Sequence, residues 1–484
     1  MKISEKIGVG LTNFLYPFMQ DYTKDRGGNM PKKTMEYDNY NIQEKYLWFL
    51  GDEDLLADFY NTRTNNFTTI DTRSSYYYSN LDNSIRIVHS GLPGLISYSK
   101  ANLLLSGGVK QKVFYKEKED EKQTEVLEEI LKENKKTKLL TNMIVSESWS
   151  GSVGIKISFD TEVSKYPIVE EYSPLKYRSV YKRNRLMEMI FLEEYLDGKF
   201  LLEEHYGLGY IKYKLYEVKG KKKTEVSLEM IEETRGLKDI VLPNKMMLAM
   251  EKKADKSDYK GIIAEFDALD EVWSQLMDEI RTGRTETYIP EMLMDGRVFN
   301  EFRKHYEVVE TDLREGGKNV ISHNQPNIRT SEYTQALLSI RDNILSNVGL
   351  SPITVGIGDN IGANASGDSL EKRELVSLRT RKQMSGTWNE FLEDFYELLL
   401  ISYYWSISKT FTRLYVEVNF GEYITPNRNE VIANVKLMKD AEIIDDEKAL
   451  DEIYGEEMTE EEKVRILANL GNIGFEEVPD EEIE

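Results

Sequence analysis

The chain has 484 residues, 31% charged and 40% apolar, with a net charge of −22 and no cysteine. That length fits two to four domains; the missing cysteines exclude disulfides and thiolate chemistry and fit a reducing compartment. The longest apolar run, Leu398 to Trp405, is interrupted by Ser402 and falls far short of a bilayer span, and no signal-peptide pattern opens the chain, so a soluble protein with no membrane partner is expected.

The negative charge is unevenly spread. Asp440 to Glu484 carries 18 acidic residues against three basic ones, which leaves the rest of the chain close to balance. Tight DNA storage needs cationic contacts to phosphates, because counterion release drives that binding. An acidic balance is incompatible with storage and compatible with DNA sliding past; plain solubility accounts for the charge equally well.

Met1 to about Lys45 is polar, with Gly27-Gly28 and Pro31, and reads as an arm with little core. Tyr46–Asn61 reads as a helix, and Ser84–Gly108 as a short strand followed by an apolar helix. Thr124–Val145 has the spacing of one amphipathic helix, and Ser148–Phe159 turns into an alternating strand. Strands are predicted at Ile168–Glu171, Leu186–Tyr195, Phe200–Tyr206 and Tyr210–Val218, joined through Asp197-Gly198, Gly207–Gly209 and Gly220. The basic tip Lys219–Lys223 fits a solvated hairpin end better than a contact surface.

Asp258–Arg281 places Ile262, Phe266, Leu269, Trp273, Leu276 and Ile280 at helical spacing, with Glu265, Asp267, Asp270, Glu271, Asp278 and Glu279 on the other face. One-sided packing explains that pattern by itself. Residues 284–330 change character: Pro290, Gly296, Gly316-Gly317 and Pro326 interrupt them. Arg297, Arg303, Lys304, Arg314 and Lys318 accompany Phe299, Phe302, His305 and Tyr306. Such a cluster is either a docking surface or the edge of a local core. A helix returns over Ser331–Val348, closed by Gly349.

A loop follows with Gly356, Gly358, Gly362 and Gly367 among Asn, Ser and Ala. Asp368 and Glu371 fit a capping box. From there the apolar spacing through Leu375, Leu378, Trp388, Phe391, Phe395 and Leu399 predicts a helix to about Lys409, roughly 60 Å long. Gly362–Ser369 matches the phosphate-loop pattern GxxxxGK[ST] except that Asp368 replaces the lysine, and a carboxylate there would repel phosphates. Leu414–Phe420 alternates as a strand. Three short helices then follow, at Asn429–Lys439, Asp446–Ile453 and Thr459–Leu470, and Phe475–Glu484 is an acidic tail expected to be disordered.

Little supports catalysis. His89, His205, His305 and His323 have no metal-ligand spacing to one another, and no GxSxG, intact phosphate loop or strand-linked GxGxxG occurs. No catalytic residue, metal or cofactor is expected.

The order of helix, Leu350-Ser-Pro-Ile-Thr-Val-Gly356 turn, glycine/asparagine loop and Ala363–Met384 leading into a long aromatic-rich helix resembles the portal proteins of tailed bacteriophages. Within these it resembles the SPP1-like portals of Gram-positive phages, most strongly over Ser331–Tyr423. The resemblance implies an α+β portal fold: N-terminal arm and wing at 1–257, a stem helix at 258–283, the clip at 284–330 and a returning stem helix at 331–349. It then implies a tunnel loop at 350–367, a long wing helix and strand at 368–424 and an acidic helical crown and tail at 425–484. Thr354, Asp359, Asn360, Asn364 and Ser366 would face double-stranded DNA in the tunnel loop. Arg297, Arg303, Lys304, Arg314 and Lys318 of the clip would bind the terminase large subunit, an ATPase, and later head-completion or adaptor proteins. Glu265, Asp270, Glu271, Asp278 and Glu279 would line the channel. The implied protein is a ring of twelve copies at one capsid vertex of the virion, assembled in the host cytoplasm with major capsid and scaffolding proteins, for DNA packaging, ejection and head–tail connection. A non-portal capsid or adaptor protein, and a nucleic-acid enzyme with a degenerate phosphate loop, are the alternatives.

Overall fold

A computed structural model describes residues 32–62, 75–79, 85–116, 118–220, 222–283, 286–290, 306–309, 322–324, 327–356, 367–407, 414–421, 428–441, 443–454, 463 and 465–467. The chain divides into two compact units. One joins Met1–Gly358 to Glu374–Gly421, and the other joins Asp359–Arg373 to Glu422–Glu484.

The first unit opens with two helices, α1 (Lys32–Leu50) and α2 (Glu53–Thr62), where one was expected over 46–61. Gly51 separates them at φ 67°, and a Cβ there would stand 2.5 Å from the His89 ring, so both backbone and space require glycine. The helix also begins inside the segment read as an arm with little core, and Gln43, Glu44 and Lys45 of that segment are buried. A short α3 (Tyr76–Ser79) and an extended strap over 85–91 lead to α4 (Leu92–Leu105), whose first turn holds Pro93.

The helix expected over 124–145 is two, α5 (Glu121–Glu133) and α6 (Lys136–Ser150). Asn134 Nδ2 donates to the carbonyls of Ile130 and Pro167, and Lys135 takes a left-handed φ of 52°. A side chain that caps the preceding turn and ties it to a distant loop ends the helix despite the continuing apolar period.

Strand β1 (Val109–Tyr115) pairs with β2 (Lys118–Glu119) and, from the far end of the unit, with β15 (Tyr415–Phe420). A second sheet centres β3 (Ser152–Ser158) between β4 (Ile168–Tyr172) and β11 (Ala249–Lys253). The largest sheet contains β5 (Tyr177–Lys182), β6 (Arg185–Tyr195), β7 (Phe200–Gly207), β8 (Tyr210–Lys219), β9 (Lys222–Val226) and β10 (Ile240–Val241), in antiparallel hairpins turning where the glycines predict. Strands β1, β2, β5, β9, β10 and β11 were not foreseen. Lys156 of β3 is buried among Glu170, Glu193 and Glu204 at 3.2, 3.5 and 3.3 Å, an ionic joint between the two sheets. Lys223 of the basic tip is internal, 2.6 Å from Glu203 and 3.7 Å above the Tyr216 ring.

Helix α7 (Ile263–Thr282) starts later than Asp258 because Gly261, at φ 91°, turns the chain while Tyr259 is buried and Asp258 pairs with Lys100. Three short strands follow: β12 (Glu286–Pro290) runs parallel to β13 (Tyr306–Val309) and antiparallel to β14 (Ser322–Asn324). Helix α8 (Thr330–Val348) returns against α7 and ends at Gly349, φ 71°. After a 3-10 turn at Pro352–Val355 comes α9 (Gly367–Ser406), 40 residues long and beginning one residue before the expected cap.

In the second unit, α10 (Arg428–Asp440) and α11 (Asp446–Tyr454) pack through Val435, Ala449 and Leu450. Most of the third expected helix, 459–470, and the tail lie outside the described residues.

Candidate channel site: stem helix and loop root

Helix α7 divides its carboxylates by depth. Asp267 Oδ1 accepts the Ser75 hydroxyl at 3.0 Å and Oδ2 accepts the Tyr76 backbone N–H at 2.9 Å. One turn on, Asp270 Oδ2 accepts the Tyr77 hydroxyl at 2.8 Å and meets His89 Nδ1 at 2.7 Å, while Oδ1 accepts the Ser90 N–H at 2.8 Å. Ser274 Oγ accepts the Val88 N–H at 2.9 Å. Two carboxylates and a hydroxyl on one helix face thus hold the chain around residues 75–77 and 88–90. Burial pushes the Asp267 carboxyl up to about 6, with Asp270 and Glu271 adding to the shift against the hydrogen bonds of Tyr76 and Ser75.

This corrects the expectation for Asp270, which is fully enclosed within the subunit and lines no channel. Glu265, Glu271, Asp278 and Glu279 are partly exposed. Glu271 accepts Gln275 Nε2 at 3.0 Å, and Glu279 accepts Arg329 N and Nε at 3.3 Å, closing the α7–α8 pair at its lower end. Asp278 lines a shallow cavity of about 260 Å³ with Arg86, Val88, Met277, Ile280 and Arg281.

The apolar stripe of α7 is only half covered. Phe266 is buried, but Trp273, Met277 and Ile280, which continue the same side, are 39%, 43% and 45% exposed.

The root of the glycine-rich loop is built from hydroxyls. Ser377 Oγ on α9 accepts the Ser351 N–H at 2.8 Å and the Thr354 hydroxyl at 2.7 Å, and Thr380 Oγ1 donates to the Gly349 carbonyl at 2.7 Å. Thr354, expected to face DNA, is therefore committed to α9. Asp359, Asn360, Asn364 and Ser366 lie outside the described residues, as do Arg297, Arg303, Lys304, Arg314 and Lys318 of the basic cluster.

Helix α9 is itself pinned to the body. Arg381 Nε donates to the Leu103 carbonyl at 2.9 Å and its Nη2 to the Gly421 carbonyl. Trp388 Nε1 donates to Glu147 at 2.8 Å, and Lys252 Nζ to the Thr387 carbonyl at 3.1 Å. Burial raises the Glu147 pKa against the pull of Lys252 and Trp388. Ser377, Thr380 and Arg381 were not among the expected site residues; their signal in the sequence is three polar residues at i, i+3, i+4 of a long helix. Among the described residues no cluster of His, Asp and Glu suits a metal ion, and no helix is long and apolar enough to cross a membrane.

No curated protein matches the sequence. Among solved structures, the chain is similar to the neck of an empty GTA particle computed with C6 symmetry, with a TM-score of 0.44 and 9% identity over 78% of this chain and 97% of that one. It is similar to a chain of the virion of the native gene transfer agent particle at a TM-score of 0.37 and 9% identity, covering 79% and 87% of the two chains. For the neck of the native particle computed with C12 symmetry the values are 0.34, 10%, 77% and 91%. A family model described as "Phage portal protein, SPP1 Gp6-like" matches residues 56–473, which takes in every strand described, α7, α8, the loop root and α9. The chain belongs to that family of phage portal proteins.

Proposed function

We propose that copies of this chain form a twelve-membered ring at one capsid vertex, with a central channel that passes double-stranded DNA during packaging and ejection and joins head to tail. The family match over 56–473 carries this reading. The family is a structural one and the chain a part of the virion; the energy for packaging comes from the terminase ATPase, not from this chain.

In the assembled ring α7 and α8 form the channel wall, with Glu265, Glu271, Asp278 and Glu279 as its carboxylates. Residues 356–366 form the DNA-facing part of the tunnel loop, carried on a root that Ser377 and Thr380 fix to α9. Residues 284–330 dock the terminase and then the head-completion proteins, while capsid and scaffolding proteins surround the wing during assembly in the host cytoplasm. The acidic 425–484 segment discourages DNA adhesion, since it offers phosphates almost no cations.

Electron microscopy of the purified protein tests this reading. Class averages showing rings with a central hole are expected. Compact particles without a hole at every concentration and salt overturn the assignment.

A further inference from the structure

We infer that the cleft where α5 gives way to α6, beside β1, binds phosphate groups and forms an anion site separate from α7, α8 and the glycine-rich loop. The site is built within one subunit and does not depend on the ring.

The cleft has a volume of about 620 Å³. Four lysines line it, Lys132, Lys135, Lys136 and Lys138, against one carboxylate, Glu128. They gather because the last turn of α5 and the first turn of α6 meet at the helix break. Lys132, Lys135 and Lys138 are exposed, and among the described residues their ammonium groups have no ion-pair or hydrogen-bond partner. Lys136 is partly buried, and its Nζ donates to the Val109 carbonyl and to Gln111 Oε1, two neutral oxygens of β1. Glu128 accepts Gln111 Nε2 at 3.5 Å instead. Burial lowers the Lys136 pKa, with Glu128 opposing the shift from a distance. A part-buried ammonium held only by neutral groups lacks a countercharge, which an anion in the cleft supplies.

The backbone adds donors. The first bond of α6 runs from the Leu139 N–H to the Lys135 carbonyl, so the N–H groups of Lys136, Thr137 and Lys138 have no acceptor in the helix, and Lys135 gives no side-chain cap. Helix-start N–H groups beside lysine charges suit phosphate. No aromatic side chain lines the cleft to stack a base, so phosphates are held without regard to base sequence. Two sources carry that chemistry, a nucleic-acid backbone and a free polyphosphate.

The test uses the full chain with Lys132→Gln, Lys135→Gln and Lys138→Gln combined, and Lys138→Gln alone as a milder variant in case the triple one misfolds. Binding of a short labelled DNA duplex is followed by anisotropy through a salt series, and binding of tripolyphosphate and of polyglutamate by calorimetry. At about 0.9 per phosphate neutralised, the fall of log affinity with log salt is expected to be shallower by about 2.7 in the triple variant and by about 0.9 in Lys138→Gln. DNA held elsewhere on the protein contributes equally to native and variant, so that difference belongs to the cleft and makes a nucleic-acid backbone the source. Tripolyphosphate binding that the variants lose, with an unchanged DNA slope, makes a free polyphosphate the source. Equal behaviour of native and variants toward both phosphate probes overturns the site. Lysine-dependent binding of polyglutamate alone overturns it in favour of an acidic protein partner.

Discussion

His89 Nδ1 and Asp270 Oδ2 stand 2.7 Å apart across 181 residues of sequence, and the same carboxylate receives Tyr77 and Ser90. Asp270 is thus a hub joining the strap to α7, not a surface charge. Asp270→Ala leaves the buried Tyr77 hydroxyl and the part-buried His89 ring and Ser90 N–H without their acceptor, and the expected loss is about 3 kcal/mol by urea unfolding. A carboxylate facing an open channel would cost within about 0.5 kcal/mol. A loss that small returns Asp270 to the channel wall.

Asp267 gives the subunit a pH response. Its folded pKa of about 6 lies above the ordinary 3.8, so the folded state holds this proton more tightly than the unfolded one. The stability it contributes is fully present below about pH 4 and is lost as pH rises to about 6, by up to about 1.4 kcal/mol for each unit of pH in that window. Asp267→Asn keeps an acceptor oxygen and removes the titration. The melting temperature of Asp267→Asn relative to the native protein should therefore climb between pH 4 and pH 7. A constant difference across that range means that burial does not shift Asp267.

Much of the fold was readable from local patterns, and the exceptions share a physical cause. The hairpins of the large sheet, α8 with its Gly349 stop, and the extent of α9 follow from turn glycines and unbroken helical spacing, which are local properties. The break between α5 and α6 depends on Asn134 reaching the carbonyl of Pro167, a long-range contact that the apolar period does not encode. For α7 the period correctly separated two faces. It could not show that the segment at Ser75–Tyr77 covers the upper part of the acidic face, because Ser75 and Tyr77 lie about 190 residues away. The bond of Thr354 to Ser377 stayed hidden for the same reason: its partner lies beyond the loop. Burial by a distant segment is what one-dimensional spacing omits.

Ser377 is the junction of the loop root. Ser377→Ala leaves the buried Ser351 N–H without an acceptor, and the expected cost is about 1–3 kcal/mol. Ser385→Ala supplies the control on the same helix: its hydroxyl bonds only the Lys382 carbonyl at an exposed position, and alanine favours the helix. It should change stability by no more than about 0.5 kcal/mol. Equal effects of the two variants on the urea midpoint contradict a fixed loop root.

The proposed tunnel loop carries Asn360 and Asn364 beyond a root held to α9. Asn360 and Asn364 carry neutral amides, which offer phosphates weak, exchangeable hydrogen bonds; lysines would add counterion-releasing contacts that hold the duplex in place. Replacing both by alanine is expected to lower the DNA packaged per capsid in a reaction with terminase and ATP, while ring assembly measured by microscopy is unchanged. Replacing both by lysine should also slow packaging, but through retention, so raising the salt concentration should relieve it. Alanine at both positions acts by losing contacts, and salt should not rescue it. Packaging at the native rate in the double-alanine variant removes the DNA-facing role from these two residues, and loss of rings in that variant makes their role one of assembly instead.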